Sequence, residues 1–467
     1  VSDAGSLTVP ERTQRVEAGD LEIKILGPCR HESPLLARLG HQALQRVGGA
    51  ERILLDDRRS MRSAHGADPA QLPAFEAAGP RDRIFFEPAQ LRCGIVTCGG
   101  LCPGINNVIR GLVLELTHSY GVKDILGFRY GFEGLVARYG HAPVRLGSAW
   151  VSEIHEKGGT VLGTSRGSQD PGEMVDTLAA LRIGALFVIG GDGTLRAATK
   201  IVAEVQRRGL SIAVIGIPKT IDNDIHFIDR SFGFESAFAA AVEAIRSAHV
   251  EATGARNGIG LVKLMGRHSG FIACHAALAS TDANFVLIPE VPVRLGGEGG
   301  FLRSLERRLA ERAHAVIVVA EGAGQDLCAD ASSLDGGRAA TDASGNVRLK
   351  DIGLVLRDRI TTHFQQLGAE ITLKYIDPSY QIRSVPAAPG DSVFCWNMAR
   401  NAVHAAMAGN TEMLIGQWHG RFVHVPLPLA TRFRKQVDVN EDLWMSVIEA
   451  TGQSVNFETK PASGISA

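Results

Sequence analysis

The chain has no apolar run approaching the ~20 residues of a membrane span, and no secretory h-region opens it. It also lacks a strong charge of either sign: the formal net charge is −1. A general affinity for nucleic acid or for membrane surfaces is therefore excluded, and any anionic partner has to be met by local basic residues. Cysteines are few, seven in 467 residues, and an odd number does not build a disulfide framework. Cys93, Cys98 and Cys102 are close in sequence, but no fourth ligand with finger spacing accompanies them, so they read as buried or loop cysteines with no metal role. The Gly-rich stretches contain no Walker lysine. What remains is a globular chain long enough for two or three domains, expected in the cytoplasm.

From Gly94 onward a pattern of strand, glycine turn and helix repeats. Residues 94–98 form an apolar strand, Gly99-Gly-Leu-Cys-Pro-Gly104 a turn, and Ile105, Val108, Ile109, Leu112, Val113 and Leu116 recur with helical period. Asp170-Pro-Gly-Glu173 supplies an N-cap, a proline at N1 and an acid at N3 for a helix that buries Met174, Val175, Leu178 and Leu181. Strands at 185–189 and 212–217 follow, with a helix through Ala198, Ile201, Val202 and Val205 between them, and then a helix over 234–249. A second group of strands runs over 258–264, 285–288 and 315–319. This alternation predicts α/β architecture: two doubly wound parallel-sheet lobes with the site in the cleft between them. Residues 1–90 differ and read as an N-terminal extension, with one strand at 16–26, one helix at 35–47 and a loop at 64–80.

Two strand ends carry the chemistry. After residues 185–189 comes Gly190-Gly-Asp-Gly-Thr194, and after 212–217 comes Pro218-Lys-Thr-Ile-Asp-Asn-Asp224. Open α/β sheets hold ligands at the carboxyl ends of their strands. Asp192 among glycines suits a phosphate-bound cation, held directly or through water. The second tip offers a lysine, a threonine and two carboxylates, and either Asp222 or Asp224 can take the proton of an acceptor hydroxyl. Gly99 and Gly100 at a third tip have the layout of a phosphate loop, a strand followed by free backbone N–H groups and a helix N-terminus. Taken singly, each tip is an ordinary turn. Together they indicate phosphoryl transfer.

At these residues the chain resembles the phosphofructokinase family, from about Arg92 to about Trp444. Six motifs follow the family's order: Thr97-Cys-Gly-Gly-Leu-Cys-Pro-Gly-Ile-Asn106, the two strand ends above, Lys263-Leu-Met-Gly-Arg-His-Ser-Gly270, Ala320-Glu-Gly322 and Pro378-Ser-Tyr-Gln-Ile-Arg383. The likeness is greatest to the ATP-using branch that includes kinetoplastid and plant enzymes. The resemblance implies transfer of the γ-phosphoryl of Mg²⁺-bound ATP to the 1-hydroxyl of fructose 6-phosphate by a homo-oligomer, a tetramer by family habit. It implies Asp222 as general base, Asp192 as the residue holding Mg²⁺, and Gly99, Gly100, Arg166, Gly191, Gly193 and Thr194 around the donor phosphates. Lys219 and Thr220 would face the transferred group. Met265, Gly266, Arg267 and Glu290 would hold the sugar, and Lys374, Tyr380 and Arg383 its 6-phosphate; a phosphate dianion requires such cationic donors. Arg246 would be one more cation for that pocket, and His268 is left as scaffold.

The implied divisions are a nucleotide-binding lobe over 91–233, a sugar-phosphate lobe over 234–381, a return to the first lobe over 382–440 and a tail over 441–467. One departure is Gly258, where many bacterial members have an arginine that reaches a neighbouring subunit's sugar phosphate. Two positions bear on the donor. Pyrophosphate-using relatives usually carry an aspartate where this chain has Gly193, and its charge would oppose the α-phosphate of ATP. Lys219 is shared with those relatives, yet an added cation is less decisive than a clash, so ATP is the expected donor. The alternatives are pyrophosphate as donor, another ketose phosphate as acceptor, or a non-catalytic sugar-phosphate-binding subunit, the last opposed by the joint presence of Asp192, Asp222 and Arg267.

Overall fold

A computed structural model describes residues 16–35, 51–57, 72–328 and 348–457. In chain order the strands of the two main sheets are β1 (Arg52–Leu54), β2 (Ala74–Ala77), β3 (Arg92–Thr97), β4 (Asp124–Phe128), β5 (Val144–Arg145), β6 (Ala185–Gly190), β7 (Ala213–Pro218), β8 (Gly258–Leu264), β9 (Phe285–Leu287), β10 (His314–Ala320), β11 (Thr372–Ile376), β12 (Met413–Trp418) and β13 (Arg421–Pro426). Among the described residues the first sheet has nine strands in the order β1-β2-β13-β12-β7-β6-β3-β4-β5, and the second has four in the order β9-β10-β8-β11. Strands β12, β7, β6, β3 and β4 run parallel, and so does the whole second sheet. The architecture is thus the expected pair of α/β lobes with parallel cores, the large sheet adding antiparallel strands at both edges.

Strand β6 shows why the sheet forms. Every residue of Ala185–Gly190 is buried, as a central parallel strand covered on both faces requires. Ala185, Phe187 and Ile189 enter one core, and Leu186 and Val188 enter the other. The first core is closed by α1 (Ile105–Leu114), whose Val108, Ile109 and Leu112 point inward, and by the long helix at Pro389–Met407. The second is closed by α2 (Pro171–Ala180) and α3 (Asp192–Arg207). Helix α2 starts as its sequence directs: Asp170 Oδ1 accepts from the Glu173 amide at 3.0 Å, with Pro171 at N1. In the second lobe, α4 (Phe234–Thr253) and α5 (Phe271–Ser280) lie on one face of the small sheet, and Phe301–Arg312 and Ile352–Gln366 lie on the other.

The N-terminal segment corrects two expectations. Residues 16–26 do not form one strand: Ala18–Leu21 is a 3-10 turn, and only Lys24–Ile25 pairs, with Asn410–Thr411. Gly19 and Asp20 break the run, and Asp20 accepts from the Glu17 amide at 3.2 Å, a local bond that competes with extended pairing. The expected loop over 64–80 contains β2, which pairs antiparallel with β13. Four residues are too few to show a period, and the partner strand supplies the register. The expected helix over 35–47 lies, beyond Leu35, outside the described residues. At the other end, Asp442–Thr451 is helical and buries Trp444 and Val447 in the second lobe, and the Gln453 side chain accepts from Val286 N at 2.6 Å and donates to Val286 O at 3.1 Å.

Phe75 on β2 is fully buried, with its ring 5.9 Å from Phe227 and 6.0 Å from Trp418. If this strand is integral to the large lobe, Phe75→Ala leaves a cavity and costs on the order of 3–5 kcal/mol. Denaturant unfolding of parent and variant checks this, and an unchanged midpoint would show that the strand is dispensable.

Candidate active site

Three strand ends stand in a row on the large sheet. Register pairs Thr97 with Ile189, Ile189 with Ile217 and Gly190 with Pro218. The ladder continues past the strands, with Cys98 N donating to Ile189 O and Lys219 N to Gly190 O, both at 2.9 Å. The chain passes outward from β3 to β4, then returns to β6 and leaves on the other side through β7. The crevice at this reversal is where a doubly wound sheet binds its ligand. A cleft of about 960 Å³ opens there, a volume suited to a nucleotide-sized ligand, and residues of the second lobe close its far wall.

On the β3 side, Gly99 has φ +84° and its carbonyl accepts from Thr164 Oγ1 at 2.7 Å, which draws the Ser165–Arg166 segment over the glycine turn. In the middle, Asp192 is the first residue of α3, a 16-residue helix whose N-terminus faces the cleft. A Cβ at Gly190 would lie 2.4 Å from Thr194, so only glycine lets the helix start this close to the strand. A Cβ at Gly193 would meet nothing within 4 Å and would project into open space. Arg196 Nε donates to both Asp192 oxygens, at 3.2 and 3.1 Å.

The β7 tip is the most constrained. Lys219 is buried, its Nζ donates to Gly100 O at 2.6 Å, and burial lowers its pKa. Thr220 Oγ1 donates to Asp224 Oδ1 at 2.5 Å. Asn223 between the two acids adopts φ 54°, which asparagine tolerates, and holds the turn by accepting from Ser231 N at 3.0 Å. Asp222 is tied to the second lobe: its Oδ2 accepts from the Arg267 amide at 3.3 Å, and its carbonyl accepts from Ser269 Oγ at 2.9 Å. Its Oδ1 is buried with no hydrogen-bond partner among the described residues. Burial, then the neighbouring Asp224 and Glu321, push its pKa up to about 7.

Among the residues expected from sequence, Gly99, Gly100, Arg166, Gly191, Asp192, Gly193, Thr194, Lys219, Thr220, Asp222, Met265, Arg267 and Arg383 line this one cleft. Arg383 NH2 rests 2.9 Å from Met265 Sδ, and its Nε is buried with no hydrogen-bond partner among the described residues. Four others lie outside the lining. Gly266, at φ 126°, turns the chain between Met265 and Arg267. Tyr380 is 83% exposed, and Lys374 is exposed on the edge strand β11. Glu290 is turned to the scaffold by one oxygen: its Oε1 accepts from Gly270 N at 3.0 Å and Val437 N at 2.8 Å, at the start of α5 and on a C-terminal strip, while its Oε2 is buried with no hydrogen-bond partner among the described residues. Arg246 lies on an exposed stretch of α4, paired with Glu243 at 2.7 Å.

The glutamate that does line the cleft is Glu321, just past the end of β10, where burial raises its pKa and the nearby Arg267 and Arg383 lower it. Both glutamates follow strand ends, and the sequence reading assigned the sugar to Glu290 rather than to Glu321. Arg196, Lys200 and Arg434 are further lining residues that sequence reasoning missed. Arg196 and Lys200 were legible, since they follow Asp192 at i+4 and i+8 on one helix face. Arg434 was not, because nothing local links it to the strand tips. His268 also lines the cleft.

The family model described as Phosphofructokinase matches residues 92–406. The ATP-dependent 6-phosphofructokinase of Amycolatopsis methanolica is 54% identical over 442 residues, covering 94% of this chain and 96% of that one. The enzyme of the same name from Borreliella burgdorferi is 45% identical over 453 residues, covering 95% and 99%. That from Trypanosoma cruzi is 45% identical over 403 residues, covering 85% and 81%. Among solved structures, the pyrophosphate-dependent phosphofructokinase from Marinobacter aquaeolei aligns with a TM-score of 0.63 over 78% of this chain and 91% of that one; at 19% identity, this is a likeness of fold.

The raised pKa of Asp222 has a sign that stability measurements read directly. Unfolded, the carboxyl titrates at its ordinary value near 3.8; folded, it titrates near 7. Between these values the folded chain keeps a proton that the unfolded chain has lost, so stability falls as pH rises through that window and stays reduced above it. Asp222→Asn removes the penalty and should stabilise the protein at about pH 8 by on the order of a few kcal/mol, with the gain fading toward about pH 4. Thermal melts of parent and variant at the two pH values test this; equal melting temperatures at the higher pH would contradict the buried-carboxylate account.

Proposed function

The chain belongs to the phosphofructokinase family, and we propose that it transfers the γ-phosphoryl group of ATP to the 1-hydroxyl of fructose 6-phosphate, giving fructose 1,6-bisphosphate. The observation that carries this reading is the buried Oδ1 of Asp222, without a partner among the described residues, in a cleft walled by phosphate-loop glycines on one side and cations of the second lobe on the other. In the step itself the sugar oxygen forms a bond to the γ-phosphorus, the bridging bond to ADP breaks, and Asp222 takes the hydroxyl proton. Burial raises the pKa of Asp222, which makes it a stronger base than an ordinary carboxylate for the hydroxyl proton.

The donor end is assigned to Gly99, Gly100, Arg166, Gly191, Gly193 and Thr194, with backbone amides and the N-terminus of α3 meeting the phosphates. Asp192, with Asp224 close by, would hold Mg²⁺. No group of three or more His, Cys, Asp or Glu gathers among the described residues, and so thin a donor set suits an ion that arrives on phosphates and keeps its waters. Bound there, the ion neutralises phosphate charge. Lys219, held against Gly100, would border the transferred group, while Thr220 steadies Asp224. Met265 and Arg267 would hold the sugar together with Glu321, which takes the role first given to Glu290.

Arg383, with Nε buried and without a partner among the described residues, would meet the 6-phosphate. Lys374 and Tyr380 face solvent in the single chain, which supports a homo-oligomer, a tetramer in our reading, in which a neighbouring copy completes that pocket. Among the described residues no helix is long and apolar enough to cross a membrane, and we assign the enzyme to the cytoplasm.

ATP rather than pyrophosphate as donor is supported by the empty space beside Gly193. In a coupled assay with fructose 6-phosphate, ATP should be turned over and pyrophosphate should not. Gly193→Asp should lose most ATP turnover, because its carboxylate enters the space an α-phosphate needs; undiminished turnover would refute the steric reading. Asp222→Asn should lower kcat by about 10²–10⁴ with little change in KM for ATP. A variant retaining more than about a tenth of the parental kcat would remove Asp222 from the role of base.

A further inference from the structure

The strip that follows β13 reaches the cleft from far along the chain. Lys435 N donates to Asp224 O at 2.9 Å, Lys435 Nζ donates to Ile228 O at 3.0 Å and Asp229 O at 2.6 Å, and Arg434 forms an antiparallel bridge with Ile225. Sewn down in this way, the strip hangs the Arg434 guanidinium over the strand tips. One terminal nitrogen lies 3.7 Å from Asp192 Oδ2 and the other 4.0 Å from Asp224 Oδ2. The two carboxylates follow different strands, Asp192 at the start of α3 after β6 and Asp224 in the turn after β7, and the two arms of one planar cation span them.

Two features distinguish this contact from a structural ion pair. Both distances exceed hydrogen-bond length, so the guanidinium is held by charge alone and can leave without breaking a directed bond. Its environment is graded, since the carboxylates are 16% and 13% exposed and the arginine 33%. Arg196 holds Asp192 from the helix side through its Nε, shared between the two carboxylate oxygens, a contact separate from that of Arg434.

We infer that Arg434 is a resident counter-cation that keeps a bare divalent metal off the Asp192–Asp224 pair and yields only to a metal that arrives on a polyphosphate. A free dication approaching either carboxylate meets the guanidinium and is repelled. A metal–nucleotide complex carries net negative charge, so its phosphates attract the same guanidinium and draw it from the carboxylates to the donor. The metal thereby enters with the nucleotide rather than before it. Arg434 is a donor-contacting residue in this scheme, and the inference rests on the ATP-kinase reading above.

Free Mn²⁺ in titrations without nucleotide, followed by electron paramagnetic resonance, reads the exclusion directly. Arg434→Met and Arg434→Gln are measured together, so that a folding defect in one does not decide the outcome. Both should bind Mn²⁺ about fivefold or more tighter than the parent, the order expected for removing one partly solvated charge about 4 Å away. Arg434→Lys, which keeps the charge but not the two-armed guanidinium, should bind Mn²⁺ clearly less tightly than either neutral variant. KM for Mg²⁺-bound ATP should rise about tenfold in the two neutral variants, which lose a charge-assisted phosphate contact. Unchanged Mn²⁺ affinity in both neutral variants would overturn the inference, and so would a gain that survives Asp192→Asn or appears equally in Arg434→Lys. Failure of the kinase reading itself would show separately, as no parental turnover of ATP with fructose 6-phosphate; the Mn²⁺ titration does not depend on that turnover.

Discussion

Parallel pairing of β3, β6 and β7 in one register is the constraint on which the site depends. Thr97, Ile189 and Ile217 lie abreast, and a single further hydrogen bond on each side carries the alignment to Cys98 and Lys219. Side chains alternate faces along a strand, so a slip by one residue would turn Phe187 and Ile189 out of their core and misalign all three tips together. The apolar residues that fix the cores therefore also fix the spacing between the glycine turn, Asp192 and Lys219. Fully buried strands such as β6 tolerate no alternative register, which lets the chemistry sit on turns without those turns being loose.

The cost of that arrangement is electrostatic. Lys219 and Asp222 are both withdrawn from water, and burial drives each toward its neutral form. Lys219 is compensated by a single carbonyl, Gly100 O. Asp222 receives one long backbone hydrogen bond and faces two further acids. A chain optimised for stability would pair these groups or replace them. Keeping them spends stability from the large cores on either side of the sheet, where Phe128, Phe187, Ile95 and Ile109 are wholly buried.

Much of this was legible because the signals were local. The strand–glycine–helix units of both lobes and the Asp170 cap follow from periodicity and motif within short windows, and the family resemblance carried by those motifs named thirteen of the cleft residues. What escaped was set by partners distant in sequence. Strand β2 is four residues long and gains its register from β13, more than three hundred residues later. Gln453 completes the edge of β9 with a side chain rather than a backbone, which no periodicity can announce. Arg434 enters the cleft only because Lys435 is sewn to the loop after Asp224. Glu290 and Glu321 both follow a strand end, and only the donors each one meets tell them apart: two amides claim Glu290, while Glu321 is left facing the cleft.

The seam between the lobes makes the same point with two aspartates. Asp391, at the start of the helix that returns the chain to the first lobe, is buried, and its Oδ2 accepts from Ser236 N at 2.7 Å and Ser236 Oγ at 2.6 Å. Ser236 Oγ in turn accepts from Ala388 N at 2.8 Å, which closes a small network across the lobes. Asp222 is also buried at a lobe contact, yet its Oδ2 has only the Arg267 amide at 3.3 Å. Each leaves Oδ1 without a partner among the described residues, so the difference lies in the other oxygen. Two short bonds make Asp391 a joint, because moving the carboxylate would strand two buried donors. One long bond leaves Asp222 oriented but not satisfied. That deficit, in a cleft with cations on both sides, is the physical difference between an acid that holds the lobes together and one that can take a proton between them.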